Sequence, residues 1–198
     1  MRTLAVPGAQ LQGVHGLRTI DEAERIAAAF ERCTAQAAPV VVIGGGFIGL
    51  EVAAAARKAG LEVTVLEGLE RLMSRVVAPI VSDAAAQLHR AHGVQLVCGA
   101  RITALQGVDG AGRAVHTADG QEYAAGCVIV GVGIDPEDAL ARAAGLDCDR
   151  GVIVDDCART ADPLIVAAGD CCARRRADGS LLRLESVQNA AEQGKSAA

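Results

Sequence analysis

Gly44, Gly46 and Gly49 stand at the GxGxxG spacing in PVVVIGGGFIGLEVAAAARKAG, residues 39–60. Glycines in this pattern act through their backbone. Gly44 permits a tight turn, Gly46 lets main chain approach a diphosphate, and Gly49 lets a helix lie close against the preceding strand. The free N–H groups and positive end of that helix then hold the anion. A carboxylate, Glu67, follows about 20 residues on, the spacing at which an acidic side chain accepts from an adenosine ribose. Together these residues predict dinucleotide binding, provided a strand precedes the glycines and a helix follows them.

The flanking elements supply that context. Val40–Ile43 are four consecutive β-branched apolar residues, the pattern of a strand buried on both faces. Phe47–Lys58 is alanine-rich and predicts a helix, which Gly60 stops. Leu61–Glu67 predicts a second strand. Before this unit, Thr19 or Asp21 can cap a helix in which Ile20, Ala23, Ile26, Ala27 and Phe30 recur at helical spacing. After it, Pro79 opens another helix that Gly93 ends, and Val94–Cys98 predicts a third parallel strand. The period then shortens. Ile102–Val108, Ala114–Thr117 and Glu122–Tyr123, separated by Asp109-Gly110 and Asp119-Gly120, predict an antiparallel meander. Cys127–Val132 predicts a buried strand running into Gly131-x-Gly133, where backbone can approach a ligand. Gly151–Asp155 and Leu164–Ala168 predict two further strands, the second ending in Gly169-Asp170. A polar loop carrying Arg174, Arg175 and Arg176 is expected next, and Leu184–Ala198 predicts a loop entering a helix. Residues 1–18 read as mixed and turn-rich.

Composition bounds the function. Of 198 residues 51% are apolar, so a core is available, but with two Phe, one Tyr and no Trp it is built from aliphatic side chains. A net charge of −5 argues against generic nucleic-acid binding. No apolar run reaches the ~20 residues of a membrane span, and the N-terminus lacks the pattern of a signal peptide; a cytoplasmic location is expected. The seven scattered cysteines do not form a secreted disulfide framework, and there is no CxxC. Cys98 and Cys127 are expected to be buried small hydrophobes. The neighbours Cys171 and Cys172 could bridge only through a strained peptide. His89 and His92, near a helix C-terminus, suit the helix dipole better than a metal, since no Cys, Asp or Glu accompanies them at ligand spacing.

The motifs PGA…GLRTIDEA, VVVIGGGFIGLEVAAAARKAGLEVTVLE…RLMSR, VGVGIDPE with AAGL behind it, TADPLIVAAGD and RLESVQNAAEQG cover nearly the whole chain. In these the chain resembles the FAD-dependent NAD(P)H reductases of the ferredoxin, rubredoxin and putidaredoxin reductase type, which share the glutathione-reductase fold. The resemblance implies an α/β architecture: a Rossmann-like parallel sheet with an antiparallel β-meander, plus an incomplete second FAD-domain segment. Residues 1–18 would end a first FAD segment, 19–148 would bind NAD(P), and 149–198 would belong to the second FAD segment. The implied reaction passes electrons from NAD(P)H through FAD to a ferredoxin or rubredoxin-type iron–sulfur protein, such as one carrying a [2Fe–2S] cluster.

Residue by residue, the resemblance implies that Gly44, Gly45, Gly46, Phe47, Ile48, Gly49 and Glu67 hold NAD. Glu51 would lie near the nicotinamide as the catalytic-site carboxylate; a carboxylate favoured by the helix dipole is the alternative. Gly131, Val132 and Gly133 would pass beside the nicotinamide. Asp170 matches an aspartate that bonds the flavin ribityl chain, Arg18 an arginine near FAD, and Val187 a position touching the isoalloxazine. Glu67 favours NAD over NADP, while Arg71 and Arg75 keep NADP open. Family members are about twice this length and begin with their own GxGxxG; here there is one. The expectation is an internal or truncated piece, holding FAD only if the missing segment is supplied, with an edge in the FAD segment that invites self-association. Three functions remain in view: the parent reductase, an NAD-binding module without FAD or turnover, and an arginine-bearing surface, Arg174–Arg176 with Arg183, that docks an acidic ferredoxin.

Overall fold

The computed structural model describes residues 2–108 and 111–198, so the Asp109-Gly110 turn expected in the meander lies outside the described residues. In chain order the elements are β1 (Val14–Gly16), α1 (Ile20–Gln36), β2 (Val40–Ile43), α2 (Phe47–Lys58), β3 (Val63–Glu67), α3 (Pro79–Ala91), β4 (Val94–Cys98), β5 (Ile102–Val108), β6 (Ala111–Thr117), β7 (Glu122–Ala124), β8 (Cys127–Val130), α4 (Ala139–Ala143), β9 (Val152–Val154), β10 (Cys172–Arg175), β11 (Leu181–Leu182) and α5 (Val187–Ala197). They fall into two compact units, Met1–Gly133 and Ile134–Ala198.

The first unit is built on a parallel five-stranded sheet, β1-β8-β2-β3-β4, with the antiparallel β5-β6-β7 as a second sheet. β2 and β8 are buried along their whole length. Side chains alternate across a strand, so Val40 and Val42 pack with Ile26, Phe30 and Ala53 of the helices. Val41 and Ile43 face the other way and pack with Leu105 and Val115 of the meander. This double covering is why the strand reads as an unbroken apolar run. α1 begins at a capping box: Thr19 accepts from the Glu22 backbone, and the Glu22 carboxylate accepts from the Arg18 and Thr19 N–H groups at 2.7 and 2.9 Å. The turn-rich stretch at the N-terminus contributes one strand that its composition does not announce. Val14–Gly16 extend the sheet by pairing with Val128–Val130.

Cys127 is buried as expected, but Cys98 is exposed. It is the last residue of β4, the edge strand of the sheet, so only β3 flanks it within the sheet. The second unit departs further. Leu164–Ala168 is not a strand; within it Val166 alone bridges, to Arg159. Asp162 and Thr160 explain this, because the Asp162 carboxylate accepts from Leu164 N and Thr160 Oγ1 donates to Ile165 O, holding the segment in a turn. The expected polar arginine loop is instead a hairpin. Arg174 and Arg175 lie in β10 and pair with Leu182 and Leu181 of β11, and Gly179 takes φ +81° in the turn between them. Cys171 and Cys172 are both free thiols. Among the described residues no helix is long and apolar enough to cross a membrane.

Candidate nucleotide site at the carboxyl ends of the parallel strands

The glycine turn joins β2 to α2 under tight constraint. Gly44 has φ +109°, donates to Leu66 O at 2.8 Å, and has no space for a Cβ, which would fall on the Gly131 carbonyl oxygen. A Cβ on Gly49 would fall on the Gly44 carbonyl oxygen, so the first turn of α2 lies directly on the loop. From β8, Gly131 donates to Ile43 O at 2.7 Å, and a Cβ on it would stand 3.6 Å from the Gly49 Cα. Gly133 follows at φ +106° with its carbonyl accepting from Arg2 N, and Val132 packs against the meander-side core.

Gly46 is the exception among these glycines. It is the N-cap of α2, in extended backbone, and a Cβ there would meet nothing within 4 Å. No side chain caps α2, and its first turn carries no acid. The same chain caps α1 with Thr19 and Glu22, so the bare start of α2 leaves N–H donors and the positive helix end for an outside anion. Open space, free donors and a close-packed turn fit a dinucleotide diphosphate.

Glu67 closes the site at the end of β3. Its Oε2 accepts from Gly45 N at 2.5 Å and its Oε1 from Leu69 N at 2.8 Å, so the carboxylate is fixed between two backbone amides. On the neighbouring strand its register partner is Cys98, whose thiol is pushed up by partial burial and by the Glu67 charge. The structure separates the two arginines of this loop. Arg71 is half-buried and donates to the Ser74 and Val77 carbonyls at 2.9 and 3.0 Å. Arg75 is exposed, and its side chain makes no hydrogen bond or ion pair among the described residues. Glu51 is exposed on α2, and Phe47 and Ile48 present 55% and 43% of their surface at its start, beside the free N–H groups. Arg18 is exposed just past the carboxyl end of β1, on the same edge of the sheet but beyond β8.

Asp170 and Val187 belong to the second unit. Asp170 is exposed, and Val187, the first residue of α5, is 83% exposed behind the N-cap Ser186. Gln193 of α5 accepts from Gly169 N at 2.8 Å, which ties the Gly169-Asp170 corner to that helix. Three contributors fall outside the residues that the sequence predicts for the site: Leu69, which fixes Glu67; Met73, within the RLMSR motif, whose N–H donates to Gly45 O at 3.0 Å; and Ser82, buried in α3 and donating to Leu72 O at 2.6 Å.

Known proteins resemble this chain along nearly its whole length. The family model for pyridine nucleotide-disulphide oxidoreductases matches residues 1–194. A rhodocoxin reductase of Rhodococcus erythropolis is 44% identical over 98% of this chain and 45% of its own length, and a rubredoxin-NAD(+) reductase of Pseudomonas putida is 40% identical over 98% and 50%. Among solved structures, a ferredoxin reductase from Rhodopseudomonas palustris superposes with a TM-score of 0.89 at 41% identity, covering 98% of this chain and 47% of that one. The chain thus spans about half the length of the relatives it matches. The glycine turn, the bare α2 start, the carboxylate at the end of β3 and a match along nearly the entire sequence place this chain in the pyridine nucleotide-disulphide oxidoreductase family.

Proposed function

We propose that this chain binds NADH as the pyridine-nucleotide part of an FAD-dependent reductase serving an iron–sulfur protein of the ferredoxin or rubredoxin type. The uncapped start of α2 under the open face of Gly46 carries the reading. Bound there, NAD(P)H would supply two electrons, which FAD would pass on one at a time. The residues of this chain bind and orient. The α2 amides hold the diphosphate, Glu67 accepts from the adenosine ribose, and Gly131 with Gly133 leaves the nicotinamide end free of side chains. Phe47 and Ile48 exclude water around it, and Glu51 provides a carboxylate on the same helix. Within the second unit, Asp170 and Val187 are the residues offered to FAD; an exposed carboxylate and an exposed apolar side chain suit a flavin's polar chain and ring.

NADH is preferred over NADPH in this reading, because a carboxylate held by two amides repels a 2′-phosphate and Arg71 is already engaged, leaving Arg75 as its counter-charge. An NADH-consuming protein with seven free thiols belongs in the cytoplasm. The test is calorimetric titration of the 198-residue chain with NADH and NADPH, alongside an absorbance spectrum after incubation with FAD and desalting. NADH binding supports the nucleotide site and its absence refutes it. A retained flavin band supports the reductase; NADH binding with no flavin band identifies a nucleotide-binding module.

A further inference from the structure

We propose that Ser82 and Arg71 are positioning residues for Glu67, acting through the loop between β3 and α3; this inference rests on the nucleotide site described above. Glu67 does not stand alone at the end of its strand. Its Oε2 is held by Gly45 N, and the Gly45 carbonyl in turn accepts from Met73 N at 3.0 Å. Gly45 is therefore clamped on both sides, and a Cβ there would stand 2.6 Å from Leu72 Cδ2 and 3.1 Å from Glu67 Oε2. Met73 reaches Gly45 by adopting φ +49°, a left-handed conformation that a non-glycine residue keeps only when its surroundings hold it.

Two side chains hold it. Ser82 is 1% exposed and donates to the Leu72 carbonyl at 2.6 Å, and is one of two buried polar side chains among the described core residues. Arg71 spans the other side of the loop, its two terminal nitrogens on the Ser74 and Val77 carbonyls. Leu72 and Met73 pack with Leu50 of α2, so the loop is seated on the helix that carries the anion site. The relay brackets Met73: Ser82 holds the Leu72 carbonyl before it, Arg71 holds the Ser74 and Val77 carbonyls after it, Met73 N donates to Gly45 O, and Gly45 N donates to the Glu67 carboxylate. Neither Ser82 nor Arg71 needs to touch the nucleotide.

The test is a thermodynamic cycle on the full chain. NADH affinity is measured by calorimetry for wild type, Ser82→Ala, Arg71→Met, Glu67→Ala and the doubles S82A/E67A and R71M/E67A. All measurements are made below the melting temperature of every variant, as read by circular dichroism. S82A and R71M are each expected to weaken NADH about fivefold to tenfold in the wild-type background and by less than about twofold once Glu67 is gone, because coupled residues are not additive. A merely structural contribution would weaken binding equally in both backgrounds, and that result overturns the inference, as does unchanged affinity in both single variants. If S82A does not fold, R71M, altering a half-buried side chain, decides alone. Wild type that fails to bind NADH would refute the nucleotide site itself, a distinct outcome.

Discussion

Two alanine substitutions three residues apart, Gly46→Ala and Gly49→Ala, should separate ligand space from packing space. At Gly49 the new methyl would fall on the Gly44 carbonyl oxygen, with the Gly44 carbonyl carbon at 3.2 Å and Val42 Cγ1 at 3.4 Å. Gly44 cannot retreat, since its other side is filled by Gly131. The start of α2 must lift, and overpacking of this kind costs about 1–3 kcal/mol. For a unit of this size that lowers the melting temperature by roughly 3–10 °C. At Gly46 the backbone is extended at φ −81°, and the methyl meets nothing within 4 Å. The weaker N-cap preference of alanine costs some tenths of a kcal/mol, and the ~0.4–1 kcal/mol gained from a less free unfolded chain offsets it. G46A should therefore melt within about 2 °C of wild type yet bind NADH more than about tenfold more weakly, its methyl standing in the diphosphate's seat. Thermal melts by circular dichroism and NADH titration by calorimetry read both quantities. Wild-type NADH affinity in G46A would refute the assignment of that open face, and an unshifted melt in G49A would refute the packing argument.

Other expectations follow from the same geometry. Glu67→Gln turns an amide NH₂ toward one of the two backbone donors, from Gly45 and Leu69, and removes the charge that repels a 2′-phosphate. NADH binding should weaken and the NADPH-to-NADH affinity ratio should rise, as measured by parallel titrations. Burial, with Cys33 beside it, pushes the Cys127 thiol from its ordinary 9.0 up to about 12. Below pH 9.0 both folded and unfolded chains keep this proton. Above it the unfolded thiol ionises while the native one does not, so stability falls toward pH 12 at about 1.4 kcal/mol per pH unit. Urea unfolding at stepped alkaline pH should show a shallower fall in Cys127→Ala. Thiol labelling of the native chain should reach the exposed Cys98 and Cys157 first, and the buried Cys33, Cys127 and Cys172 only in denaturant.

The site was legible where local chemistry and long-range packing demand the same residues. Val40–Ile43 must be apolar on both faces because the sheet is covered on both, and Gly44 and Gly49 must lack Cβ atoms because backbone from β8 and from the turn itself fills those positions. Of the two cap candidates, Thr19 and Asp21, the structure uses Thr19, a local choice that closes within four residues through Glu22. Legibility failed where a residue's state depends on partners far along the chain. Leu164–Ala168 has strand composition but no partner strand takes it, while Asp162 and Thr160 take its polar groups instead. Cys98 sits in an apolar run, and its exposure follows from β4 being an edge. The Asp178-Gly179 pair, the same signal that marks the Asp119-Gly120 turn, was the available clue to the β10–β11 hairpin.

The order of residues alone carries the strand–glycine–helix–strand unit, the acidic residue at its end and the family to which they point. These are short-range patterns, set by side-chain volume, periodicity and the absence of a Cβ. Folding alone settles that Arg71 is spent on its own loop, that Met73 and Ser82 stand behind Glu67, and that the N-terminal Val14–Gly16 extends the sheet. Each of those is a hydrogen bond between backbone or side-chain groups whose spacing follows no period. Nothing in the order of residues specifies such a bond until the chain has folded and desolvation requires every buried polar group to find a partner.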